Sequence, residues 1–72
     1  MSEELVKKLE HLHERSWGHV TMTAKFYEGA IENESMSEEE KEYFRGCHTS
    51  AVSHHQIVDT LVYDIIELAS ND

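Results

Sequence analysis

The chain has 72 residues, one cysteine and a formal net charge of −9, from 15 acidic and six basic residues. This length allows one domain, whose hydrophobic core is marginal without a metal or partner subunits, and the single cysteine excludes an internal disulfide. The acidic excess excludes direct nucleic-acid binding, because phosphates are bound by cationic side chains.

Helix 1 is predicted over residues 2–33. Ser2 is its candidate N-cap, and acids follow in the first turn, where the helix dipole favours them. Two adjacent rows at helical spacing predict a stripe wide enough to contact two neighbours. The rows are Leu5, Leu9, Leu12, Ser16, His19, Thr23, Phe26 and Ala30, and Val6, His13, Trp17, Val20, Ala24, Tyr27 and Ile31. An interruption near Trp17-Gly18 is considered, since glycine costs about 1 kcal/mol relative to alanine inside a helix.

A short turn over residues 33–37 separates the helices. Asn33 can adopt the left-handed conformation that ends a helix. Ser37, followed three residues later by Glu40, has the spacing of a capping box, which satisfies free amide groups at a helix start. These signals predict a helix, a turn and a second helix.

Helix 2 is predicted over residues 37–69, where apolar positions recur in alternating steps of three and four. This heptad spacing is typical of a helix that packs lengthwise against another helix. The predicted seam is Phe44, Cys47, Ala51, His54, Val58, Leu61, Ile65 and Leu68. From Ile57 onward the helix carries more apolar surface than one partner helix can cover. Four helices can cover it.

The sequence therefore predicts an all-α antiparallel helical hairpin, a single domain that assembles with copies of itself into a helix bundle. Two hairpins close a four-helix bundle in the simplest case, and a trimer or larger ring is the alternative. With the turn near residues 35 and 36, facing residues have numbers that sum to about 71. Trp17 is then level with His54, and His13 with Val58.

Six histidines, all outside the acidic turn, are predicted to form a belt around the middle of the hairpin. At the seam, a neutral His54 needs one donor and one acceptor, and Ser16 can supply one of them. A polar seam residue of this kind can fix register and oligomeric state. Because charging a buried imidazole is costly, acid is expected to dissociate the oligomer.

Two ligand pairs suggest a metal site without predicting one. Glu10-x-x-His13 and His55-x-x-x-Asp59 each place two donors on one helical face, as in metal-binding bundles. No His-x3-His pair or Cys-His cluster occurs, and Glu10 falls beside the polar face. No metal ligand and no cofactor is therefore assigned.

A ligand pocket between subunits is the next alternative. It would offer stacking surfaces, hydrogen-bond donors and some positive charge to a small aromatic or phosphorylated, nucleotide-like molecule. Its candidate residues are His13, Arg15, Trp17, Lys25, His54 and His55.

No catalytic residue is predicted, and we do not expect an enzyme. Cys47 and His48 are adjacent, so on a helix they point about 100° apart, which is wrong for a nucleophile and its base. The chain also lacks a glycine loop of the kind that supports such chemistry.

The leading functional hypothesis is a non-enzymatic interaction module, a regulator or inhibitor. Size and charge are those expected of a small antitoxin-like or phage-encoded inhibitory protein, although no motif carries that analogy. Seven glutamates and one lysine lie between Glu28 and Glu42, and this acidic tip suits a basic protein surface, chiefly through Glu38, Glu39 and Glu42. The alternatives are a charge that only maintains solubility, an oligomeric sponge for a small ligand, and a His/carboxylate metal-binding bundle.

The same patterns predict a cytoplasmic protein without membrane contact. No apolar run approaches the roughly 20 residues that span a bilayer. The first four residues, Met-Ser-Glu-Glu, lack the charged and apolar regions of a signal peptide.

Overall fold

The structure is a computed structural model that describes residues 3–70. Helix α1 spans Glu3–Glu32 and helix α2 spans Glu38–Ser70. The helices pack against each other in antiparallel fashion, with Cα extents of 56 × 16 × 10 Å. The predicted all-α helical hairpin is confirmed. Over the described residues, neither helix has an apolar stretch long enough to cross a membrane. Ser2, the predicted N-cap of helix 1, lies outside the described residues.

Helix α1 continues through Trp17 and Gly18, so the interruption considered there does not occur. The Thr21 hydroxyl donates to the Gly18 carbonyl at 2.9 Å, which adds a local bond to the helical ladder. Gly18 lies on the solvent side, and a Cβ built there meets no atom within 4 Å. The glycine therefore weakens the helix without breaking it.

The turn is closed by Asn33, in a way that differs from the prediction. No non-glycine residue in the described range has a positive φ, so Asn33 does not adopt the left-handed conformation. Its amide donates to the Ala30 carbonyl at 3.2 Å, and its side-chain Oδ1 accepts the Ser35 amide at 3.0 Å. Asparagine thus ends α1 through a side-chain turn of its own.

Ser37 is the N-cap of α2, as predicted. Its Oγ accepts the Glu40 amide at 3.2 Å, and its carbonyl accepts the Lys41 amide at 3.0 Å. The return bond differs from that of a standard capping box, because the Glu40 carboxylate accepts the Ser37 hydroxyl at 3.1 Å. Both bonds stabilise the first turn of α2.

Small residues form the interior of the hairpin. Among the described residues, the buried ones are Val20, Thr23, Ala30, Ala51 and Val62. Their short side chains let the two helices approach closely. Larger apolar side chains, including leucine, isoleucine, phenylalanine and tryptophan, remain exposed outside this seam. The hairpin therefore buries its small residues and presents its large ones.

The seam predicted for α2 is wrong in its second half. The row that faces α1 passes through His55 rather than His54, which is exposed. The inward row is Phe44, His48, Ala51, His55, Val58, Val62 and Ile66, each buried or half-buried. Both rows keep the alternating spacing, so periodicity alone does not separate them. His54 is exposed in the single hairpin, so the expectation that acid dissociates the oligomer depends on a second copy that covers His54.

The predicted register is confirmed. Ser16 bonds His55 and Thr23 bonds His48, and both pairs of numbers sum to 71. The Trp17 ring accordingly contacts His55, one residue beyond the predicted His54.

Candidate functional site

Three rings from both helices meet near the middle of the hairpin. The ring centroids of His13 and Trp17, on α1, lie 4.9 and 5.2 Å from that of His55, on α2. The Ser16 Oγ lies 3.0 Å from His55 Nδ1 and fixes the orientation of that ring. Residues three or four apart share a helical face, which is why His13, Ser16 and Trp17 reach the same partner. We call His13, Trp17 and His55 the ring cluster.

Asp59 joins the ring cluster from α2. His13 Nε2 donates to Asp59 Oδ1 at 2.6 Å, and Asp59 stands one turn after His55 on the same face. Donor atoms of His13, His55 and Asp59 lie within 4.8 Å of one another. These residues come from the two ligand pairs seen in the sequence. The hairpin register brings both pairs to one place.

A surface cleft runs beside this group. Its walls include Glu10 and Glu14 of α1 together with His13 and Asp59, and no lysine or arginine lines it. The cleft is therefore negatively charged. Asp59 was absent from the residues predicted to bind a ligand, although its spacing from His55 pointed to it and it follows Val58, the residue predicted to be level with His13.

The six residues predicted to bind a ligand divide into two groups. His13, Trp17 and His55 meet in the ring cluster. The other three make no described contact with those rings; they are Arg15, Lys25 and His54. Helical geometry explains the split for His54, because adjacent residues point about 100° apart and His55 takes the inward position.

A second histidine, His48, is held by Thr23. The buried Thr23 hydroxyl is 2.9 Å from the His19 carbonyl and 3.0 Å from the Val20 carbonyl, so it donates its proton to the backbone. Its oxygen lies 3.1 Å from His48 Nδ1, so it accepts from that nitrogen in the tautomer that carries the proton on Nδ1. No buried side-chain N or O atom among the described residues lacks a partner.

One side of the hairpin is a continuous apolar surface. A groove on this side is lined by His19 of α1 and by Tyr43, Cys47 and His54 of α2. The helical period extends the surface along both helices. We define the apolar face as Leu12, His19, Phe26, Tyr43, Cys47, His54, Ile57, Leu61, Ile65 and Leu68. Apart from Cys47, which is half-buried, all are exposed.

The α2 part of the apolar face is also nearly free of charge. Between Tyr43 and Leu61 the only Asp, Glu, Lys or Arg residues are Arg45 and Asp59. Asp59 bonds His13 in the cleft, on the other side of the hairpin, and Arg45 bonds Glu42. This neutral surface therefore differs from the chain as a whole, whose net charge is −9.

The acidic tip is exposed. Two of its predicted binding residues, Glu38 and Glu39, are open to solvent. Glu38 Oε1 lies 3.9 Å from Lys41 Nζ. Glu42 forms a bidentate hydrogen-bonded pair with Arg45, with Nε 3.0 Å from each carboxylate oxygen. This hydrogen bonding lowers the pKa of Glu42 below its usual value. Both nearby cations are thus engaged locally, and the tip stays strongly negative.

Cys47 and His48 serve different surfaces. Cys47 lines the groove of the apolar face, whereas His48 bonds Thr23 inside the hairpin. Their directions differ as the helical period requires.

Comparison of the chain with protein-family models, curated proteins and solved structures found no match.

Proposed function

We propose that this protein is a cytoplasmic, non-enzymatic interaction module that assembles with copies of itself through the apolar face and regulates or inhibits a basic protein partner through the acidic tip. The observation that carries the proposal is the difference in size between the buried and the exposed apolar residues of the hairpin. The most buried residues of the seam are small, while large apolar residues remain exposed, and Leu12, Phe26, Ile57, Leu61, Ile65 and Leu68 share one side. Contiguous apolar surface of this kind marks an interaction site.

The surface area supports assembly. The hairpin exposes 5754 Å², whereas a compact monomer of 8.4 kDa exposes about 4,600 Å². The excess of about 1,100 Å² exceeds the roughly 800 Å² that each partner buries in a standard interface. A second copy placed on the apolar face can remove this excess.

Charge repulsion favours the apolar face as the surface for self-association. Two chains of net charge −9 repel each other wherever their acidic surfaces meet. The apolar face avoids that repulsion, because its stretch from Tyr43 to Leu61 presents no carboxylate to the partner. Self-association through this side leaves the acidic tip and the cleft in solvent.

The tip supports a partner of opposite charge. Its glutamates are exposed and its two neighbouring cations are occupied by Glu38 and Glu42. A basic protein surface meets a concentrated negative charge there, which speeds encounter and selects against acidic partners.

The molar mass in solution tests the assembly. By sedimentation or light scattering, we expect the wild-type protein to exceed 8.4 kDa, and Leu61→Gln to lower the mass. Tyr63→Gln is the matched control, because Tyr63 is also more than half exposed but lies on the other side of α2. A wild-type protein that stays at 8.4 kDa at its highest soluble concentration contradicts the proposal.

Charge reversal tests the tip. Replacing Glu38, Glu39 and Glu42 by lysine should abolish capture of basic proteins while the molar mass stays unchanged. A control that reverses Glu14, Asp64 and Glu67 has the same net charge and should retain capture. Equal loss in both variants would mean that only net charge matters. Removing acids from the start of α2 costs about 0.3–1 kcal/mol each, so helicity is measured alongside.

A second candidate function is sequestration of a small nucleotide-like ligand. The ring cluster favours it, because three stackable rings meet there and Trp17 is more than half exposed. Titration of adenosine monophosphate into chelator-treated protein should then quench or shift the emission of Trp17, the sole tryptophan. Unchanged emission at saturating nucleotide would remove this candidate and leave the interaction module untouched.

A further inference from the structure

We propose that His13, His55 and Asp59 form a binding site for a divalent transition-metal ion such as Zn²⁺. Two imidazoles and a carboxylate are a ligand set that zinc prefers, and three protein ligands with one open position are a common arrangement. The three donor atoms lie within 4.8 Å of one another and come from both helices. This inference does not depend on the proposed function, since the site lies away from both the apolar face and the acidic tip.

The distance between His13 and Asp59 suits an ion with little rearrangement. In a tetrahedral zinc site, neighbouring donor atoms lie about 3.4 Å apart. His13 Nε2 and Asp59 Oδ1 are now 2.6 Å apart, joined by the imidazole proton. An ion takes the place of that proton once the two side chains separate by under about 1 Å. Asp59 is free to move, because its side chain is 63% exposed.

Ser16 prepares His55 for this role. When His55 Nδ1–H donates to the Ser16 hydroxyl, whose oxygen is 3.0 Å away, Nε2 is unprotonated and can bind a metal ion. Metal-bound histidines commonly make such a bond through their other ring nitrogen, which fixes the tautomer and the ring orientation. The indole of Trp17 packs against the same ring and limits its motion.

The electrostatic surroundings favour a cation. Glu10 and Glu14 line the cleft beside His13 and Asp59, and no basic residue lines it. Glu10 lies one turn before His13 and is the candidate for the fourth ligand, with water as the alternative. An exposed ion pair between His13 and Asp59 explains the 2.6 Å contact alone, but it does not explain why His55 is held next to both.

Zinc titration of chelator-treated protein tests the site. We expect calorimetry to show one Zn²⁺ per chain, and Co²⁺ to give visible absorption typical of tetrahedral coordination and to quench Trp17. Asp59→Asn and His55→Ala should each weaken zinc affinity by about tenfold or more. Asp64→Asn and His11→Ala remove the same residue types from exposed positions outside the group, and should change affinity by less than about twofold.

The same set of variants also provides a control for loss of folding. Asp59 is exposed, so Asp59→Asn should keep the wild-type helicity by circular dichroism. Because the ion links α1 to α2, Zn²⁺ should raise the thermal unfolding midpoint of the wild type but not of Asp59→Asn. No zinc binding to the wild type, or equal affinities in Asp59→Asn and Asp64→Asn, overturns the proposal.

Discussion

Thr23 Oγ1 lies 3.1 Å from His48 Nδ1, inside the seam between the two helices. Thr23 is the one buried polar residue among those described, and its hydroxyl lies within hydrogen-bond distance of both the α1 backbone and His48. Like the bond between Ser16 and His55, the bond between Thr23 and His48 joins the two helices across the seam. It therefore contributes to register as well as to stability.

Thr23→Val should destabilise the fold by about 1 kcal/mol, because the isosteric change leaves His48 Nδ1 without its acceptor. Chemical unfolding at a fixed protein concentration measures the difference. Thr23→Ser keeps the hydroxyl and should recover part of the loss, set against the small cavity left by the missing methyl group. Equal stability of the valine and wild-type proteins would contradict the bond.

Ser37→Ala should cost about 1 kcal/mol, since it removes the acceptor for the Glu40 amide at the start of α2. Thermal unfolding followed by circular dichroism measures the effect. Ser37→Asp supplies an alternative cap and should retain most of the stability. If alanine and aspartate behave alike, the cap contributes nothing at this position.

Gly18→Ala should stabilise the fold by about 0.5–1 kcal/mol. Gly18 lies inside α1, and an added Cβ meets no atom within 4 Å. Denaturant unfolding at matched concentration gives the change. A loss of stability would mean that another chain packs against Gly18, which contradicts the placement of the contact on the apolar face.

The Glu42–Arg45 pair predicts a pH effect of defined sign. Hydrogen bonding to Arg45 lowers the pKa of Glu42 below 4.5 in the folded chain. The pair therefore stabilises α2 above about pH 4.5, and its contribution is lost as the pH falls through the folded-state pKa. Arg45→Gln should raise the pKa of Glu42 toward 4.5, as followed by NMR titration of its carboxyl carbon. Lys41→Gln should leave the titration of Glu42 unchanged; an equal shift would assign the effect to general charge.

The reactivity of the Cys47 thiol should show whether a second copy covers the apolar face. It is half-buried in the hairpin, within the groove of the apolar face, so a second copy would shield it further. We expect the thiol of the assembled wild type to react slowly with a disulfide reagent and that of Leu61→Gln to react faster. Equal rates at equal helicity would argue that the apolar face stays open.

The sequence predicted the hairpin because its signals are local. Side-chain caps, proline-free stretches and helical periodicity all act within a few residues, so Ser37 and the two helices followed directly. The register also followed, because a short turn fixes which residues of two antiparallel helices lie opposite each other. The bonds from Ser16 to His55 and from Thr23 to His48 confirm this register.

The choice of seam did not follow, because two rows of α2 have the same spacing. Periodicity favoured the more apolar row through Leu61 and Leu68, whereas the hairpin uses a row that shares Phe44, Ala51 and Val58 with it but continues through His55 and Val62. Leu61 and Leu68 are exposed in the hairpin, whereas Val62 is buried. That difference moved His55 inward and His54 outward, and with them the group around His13 and Asp59.

The interior of small residues also has a consequence for how the chain responds to concentration. The interior buries few methyl groups, chiefly those of Val20, Ala30, Ala51 and Val62. Their burial offsets only a small part of the conformational entropy that two long helices lose on folding. If the missing burial comes from copies of the chain, folding and association are one equilibrium, and the unfolding midpoint rises with protein concentration. Dilution then acts on this protein as a denaturant does on others.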